Sequence, residues 1–70
     1  MPEGKVKWFN HAKGYGFIQP DEGGSDVFVH ITALHRSGIQ GLNEGDAVTY
    51  ELVDGRDGRS AADNLSITGS

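Results

Sequence analysis

Glycine-bearing turns interrupt this sequence at intervals that leave room only for short strands. His11-Ala12-Lys13-Gly14 follows Asn10, Pro20-Asp21-Glu22-Gly23-Gly24 follows Gln19, and Asp54-Gly55-Arg56-Asp57-Gly58 precedes the final apolar run. Between them lie stretches of β-prone character: Lys5 to Asn10, Tyr15 to Gln19, Asp26 to Ile31, Ala47 to Val53 and Ala61 to Thr68. Alternating apolar runs bounded by Gly, Pro and Asp read as strands joined by turns. The segment from Thr32 to Asp46 stands apart. It is too short and too glycine-rich for a long helix, and holds at most one helical turn around Thr32 to His35.

Length narrows the choice further. A chain of 70 residues buries only about 60% of the surface it exposes when unfolded, which limits its stability to about 3 to 5 kcal/mol. Five short antiparallel strands are too few for a two-sheet sandwich, and closing them on themselves removes the exposed edges that invite aggregation. The expectation is an all-β fold, a five-stranded antiparallel OB-fold barrel, forming a single domain over residues 1–70. Such a barrel has no room for an internal catalytic cleft of ordinary size. The sequence has no Cys, which excludes disulfides and thiolate metal sites and reads as intracellular, with a cytoplasmic location expected. Met1-Pro2-Glu3-Gly4 lacks the basic start and apolar run of a signal peptide, and no apolar stretch approaches the roughly 20 residues of a membrane span.

The formal charge of −4 speaks at first against a polyanionic partner. Its distribution matters more. Residues 1–20 carry Lys5, Lys7 and Lys13 against Glu3, whereas residues 41–70 carry six acids against Arg56 and Arg59. One surface can therefore meet an anion while the rest stays acidic. On charge alone, a solvated lysine face is the simpler reading.

Strand alternation sorts the side chains into two faces. Tyr15 and Phe17 share one face of the second strand and Gly16 and Ile18 the other; in the third, Phe28 and His30 oppose Val27 and Val29, with Ile31 falling on the valine side. Val48, Tyr50 and Leu52 form a further alternating set, and Leu65 with Ile67 another, so a small barrel can be filled without Tyr15, Phe17 or Phe28. Phe9 and Tyr50 are assigned to the core. Five of the six Phe, Trp and Tyr residues lie between positions 8 and 28, beside the lysines. Flat faces next to cations suit single-stranded nucleic acid, whose bases stack on rings at about 1 to 3 kcal/mol each. Period two groups Trp8 with Val6, so a surface Trp8 requires a bulge or strong twist in the first strand.

Two segments carry a more specific signal. Lys13-Gly14-Tyr15-Gly16-Phe17-Ile18 is a glycine-rich strand with alternating aromatics, and Val27-Phe28-Val29-His30 is its companion. The RNA-recognition motif uses such a pair, but in the other order and with two long helices that this chain lacks. Over essentially its whole length the sequence instead resembles the bacterial cold shock proteins. The resemblance rests on Gly4-Lys5-Val6-Lys7-Trp8-Phe9-Asn10, Gly14 to Ile18, Asp26 to His30, Leu42-Asn43-Glu44-Gly45 and Ala61-Ala62-Asp63-Asn64-Leu65. It implies a single cold-shock domain, a stress-response role, and binding of single-stranded RNA and DNA on an aromatic surface. In many members this melts RNA secondary structure, and pyrimidine-rich strands are often favoured.

Carried over by position, Trp8, Tyr15, Phe17, Phe28 and His30 stack on bases, Lys7 and Lys13 lie beside the backbone or base edges, and Asn10 adds a polar contact. Phe9 and Lys5 are weaker candidates. Ile31 and Ile39 stand where many members have aromatics, and Gly58-Arg59-Ser60 replaces a Gly-Pro common before the last strand. The expectation is a monomer that needs no cofactor, metal, membrane or small-molecule substrate and is not an enzyme. Small barrels also capture proline-rich peptides on exposed aromatics, but such a site has no use for Lys7, Lys13 and His30 together. A metal or catalytic site on His11, His30 and His35 lacks ligand spacing and any paired nucleophile and base. His11 reads as a solvated loop residue that could add a pH-dependent contact, and His35 and Arg36 as a solvated turn from which Arg36 could reach a phosphate.

Overall fold

The computed structural model describes residues 2–54 and 60–69. The strands are β1 (Glu3–Asn10), β2 (Tyr15–Pro20), β3 (Val27–His30), β4 (Ala47–Asp54) and β5 (Ser60–Gly69), with one short helix, α1 (Ile31–Arg36), between β3 and β4. They close into a barrel in the order β1-β2-β3-β5-β4. The β1/β2, β2/β3, β4/β5 and β1/β4 pairs are antiparallel, and the barrel is closed by a parallel contact of β3 with β5 at Phe28 and Ala61. This is the all-β, five-stranded OB-fold barrel, with strand boundaries within about two residues of those the turns suggest. Gly55 to Gly58 of the last turn, and Gly58 and Arg59 of the departing loop, lie outside the described residues.

Aliphatic side chains fill the interior. Val6, Ile18, Val27, Val29, Val48, Tyr50, Ala62 and Leu65 are buried, and Ala33 and Leu34 of α1 join the same cluster with Leu42. Phe9 packs against it half-buried, and so do Ile31 and Ile39. The alternation of β3 ends at His30, because Ile31 begins the helix and meets the core from there. Ile31 and Ile39 thus serve packing.

Two residues expected inside are outside. Leu52 is 50% and Ile67 46% exposed. Leu52 lies on the same side of β4 as Val48 and Tyr50, but β1 pairs with β4 only as far as Thr49, so Leu52 runs past the wall that covers them. Ile67 lies between two places where β5 takes up an extra residue against β4: Thr49 and Glu51 face Ser66 and Asp63, and Ala47 and Val48 face Gly69 and Ile67. From Ser66 to Gly69 every residue of β5 is exposed, so Ile67 lies in the stretch of the strand that runs out past the core.

Candidate nucleic-acid interface

The outer face of β1, β2 and β3 is built on one irregularity and one glycine. Val6 pairs with Ile18 and Trp8 with Phe17, so β1 takes up an extra residue at Lys7. Val6 stays inside, while Lys7 and Trp8 both reach the surface. This is the bulge a surface Trp8 demands. Opposite it, a Cβ on Gly16 would collide with the Trp8 carbonyl oxygen and the Phe9 Cα, so β1 and β2 approach this closely only over a glycine.

The register then lays the rings side by side. Phe17 faces Phe28 across β2/β3, Tyr15 faces His30, and Trp8 faces Phe17 across β1/β2. Trp8 lies 5.3 Å from Phe17 and 5.7 Å from Tyr15, centroid to centroid. Phe28 lies 5.9 Å from Phe17, 5.8 Å from Tyr15 and 6.3 Å from His30. Five aromatic side chains from three strands thus form one contiguous patch. Trp8 is 38% exposed and His30 is exposed; Tyr15, Phe17 and Phe28 are half-buried. Most of these pairs are tilted or edge-on, leaving faces turned in several directions for planar ligands.

Charge around the patch is more balanced than the sequence segments imply. The Lys7 ammonium is 2.9 Å from Asp26 and the Lys5 ammonium 3.4 Å from Asp21, both in exposed pairs. The fold brings the acids of the β2–β3 loop against the lysines of β1. Lys13 is exposed, and among the described residues no carboxylate is within ion-pairing distance of it. The Asn10 Oδ1 accepts a hydrogen bond from the Lys13 backbone N–H at 3.0 Å, and the Asn10 carbonyl accepts from Gly14 N–H at 2.8 Å. Asn10 therefore closes the turn that carries Lys13 and leads into Tyr15.

A cleft of about 400 Å³ adjoins the rings, lined among others by Phe17, Phe28, Tyr50, Leu52 and Asp26. Leu52 is the residue sequence reasoning missed here, because its place depends on where the β1/β4 ladder stops. His11 is likewise not simply solvated. Its Nε2 lies 3.2 Å from the Leu42 carbonyl oxygen, and its ring meets Phe9 edge-on at 4.9 Å. Arg36 donates to Asp63 at 3.0 Å, tying α1 to β5. Among the described residues no group of three or more His, Asp or Glu side chains is placed to hold a metal ion, and no helix is long and apolar enough to cross a membrane.

An OB-fold barrel with an aromatic patch across its first three strands belongs to the class of nucleic-acid-binding domains. The model of the "Cold-shock" DNA-binding domain matches residues 2–67, and the chain belongs to that family. It is similar to "Cold shock protein CspA" of Rhizobium meliloti, with 58% identity over 66 residues that cover 93% of this chain and 96% of the relative. Similarity to "Cold shock protein CspB" of Geobacillus stearothermophilus is 57% over 67 residues, 96% of this chain and all of the relative. For "Cold shock-like protein CspE" of Escherichia coli it is 46% over 65 residues, 93% and 94% of the two chains.

Proposed function

We propose that this protein binds single-stranded RNA and DNA and acts as an RNA chaperone that destabilises RNA secondary structure. In this reading Trp8, Tyr15, Phe17, Phe28 and His30 each offer a ring to a base, Lys7 and Lys13 lie beside the phosphates or base edges, and the Asn10 amide adds a polar contact. The reaction is binding without covalent change. It needs neither cofactor nor small-molecule substrate, a monomer suffices, and the cytoplasm is where such strands are met.

The observation that carries the reading is the ring spacing. Neighbouring centroids lie 5.3 to 6.3 Å apart, whereas nucleotides along one strand of a duplex rise by about 3.4 Å. A strand that seats one base per ring cannot keep its bases stacked on each other. It exchanges base–base stacking for base–ring stacking, which a duplex cannot do without opening. Every base has a π-face, so the platform tolerates many sequences.

The test is a titration of Trp8 fluorescence with a short pyrimidine oligonucleotide. Phe17→Ala and Phe28→Ala are expected to keep the fold and weaken affinity by about 1 to 3 kcal/mol each. Unchanged affinity in either folded variant contradicts the proposal.

A further inference from the structure

His30 does two things at once, and the first constrains the second. It is the N-cap of α1: its Nδ1 accepts a hydrogen bond from the Thr32 backbone N–H at 3.2 Å. The Thr32 hydroxyl lies 3.0 Å from the same nitrogen. A hydroxyl can turn to donate or accept, but a backbone N–H can only donate, and the chain entering the helix fixes its direction. Nδ1 must therefore carry the lone pair. The neutral ring that satisfies this contact has its proton on Nε2, because the alternative tautomer would set two N–H groups against each other and lose the cap. Nε2 has no hydrogen-bond partner among the described residues, on a side chain that is exposed and 6.3 Å from Phe28.

We propose that Thr32 holds His30 as the Nε2–H tautomer, so that the ring meets a bound strand as a hydrogen-bond donor and selects an acceptor oxygen on it. The ligand group is a base carbonyl or a phosphate oxygen. An amino group presented at the same point would face a donor with a donor. His30 thereby adds a directional preference to a platform whose other rings read only flatness, and Thr32 is its positioning residue. The ligand half of this inference rests on the reading above, whereas the tautomer is a property of the free protein.

The tautomer is read from a long-range proton–nitrogen NMR spectrum of the free wild-type protein at about pH 8. The expected pattern has a protonated Nε2 and an unprotonated Nδ1; a dominant Nδ1–H form or an even mixture overturns the proposal. The ligand side is read with uridine and cytidine heptamers on wild type and two variants. His30→Phe keeps a stacking ring and removes the donor, and is expected to bind the uridine heptamer about fivefold more weakly, the worth of one hydrogen bond. His30→Asn keeps an oxygen acceptor for the Thr32 N–H, and is expected to melt within a few degrees of wild type while losing at least as much affinity. A larger loss on uridine than on cytidine assigns the acceptor to the base oxygen at position 4, where cytosine carries an amino group, and equal losses assign it to an oxygen the two strands share, the base carbonyl at position 2 or a phosphate oxygen. A His30→Phe protein that binds both heptamers as tightly as wild type shows that the ring only stacks, and overturns the proposal. Wild-type protein that binds neither heptamer overturns the parent reading and the ligand half with it, while the spectrum judges the tautomer by itself.

Discussion

Ile18 shows how little spare stability the barrel has. It is fully buried between Val6 on β1 and Val27 on β3. Ile18→Ala removes a transfer contribution and leaves a cavity, together about 2 to 5 kcal/mol, against a total of about 3 to 5 kcal/mol for a barrel of this length. A urea titration at 25 °C should find the variant near the limit of stability, with its folded baseline shortened or lost. Tyr50 is buried too, and its phenol is held above the usual value of 10.0, first by burial and then by the charges of Glu22 and Asp21. Because the folded state holds this proton more tightly than the unfolded chain, its contribution is complete below pH 10.0 and fades as pH rises beyond it. Denaturation midpoints measured from pH 8 to 11 should therefore fall at the alkaline end, and Tyr50→Phe should flatten that fall. The inward direction of Ile18, Val27 and Val29 and the outward direction of Tyr15, Phe17 and Phe28 were legible in the sequence, since two short regular strands preserve alternation. His11 was not, because its hydrogen-bond partner is 31 residues away and belongs to a loop of no regular period.

At the scale of the element, the aromatic face depends on how β1 crosses β2. The bulge at Lys7 turns Trp8 outward, and Gly16 lets the β1 backbone lie against β2. Gly16→Ala forces the Trp8 carbonyl and Phe9 Cα away, both of them backbone that cannot yield by a rotamer change. A loss of about 1 to 3 kcal/mol is expected from overpacking, with Trp8 emission altered even in the protein that remains folded. Thermal unfolding followed by circular dichroism and by fluorescence checks both. The need for such a bulge could be read from the sequence, because Val6 and Trp8 share a period that only one of them can satisfy inside. The bulges of β5 carried no such signal. Leu65 and Ile67 look equally suited to the core, and which one enters is decided by pairing with β4, whose register depends on residues far along the chain.

For the whole molecule, charge and recognition are separated. The net charge of −4 is not overcome by a basic stripe, since Lys5 and Lys7 are already matched by Asp21 and Asp26. The sequence showed the lysines but not these partners, which the β2–β3 turn folds back against β1. On the proposed reading rings carry most of the affinity, and the few cations engaged predict a slope of log affinity against log salt of about −1.5 to −3.

Whether the patch holds unstacked bases is decided by comparing a single-stranded pyrimidine heptamer with its own duplex at about 50 and 200 mM salt. The single strand should bind at least about tenfold more tightly than the duplex at both concentrations, losing between about eightfold and sixtyfold across the change. A duplex bound as tightly as the single strand, or a loss of a thousandfold or more, would show that phosphate charge and not the rings does the holding.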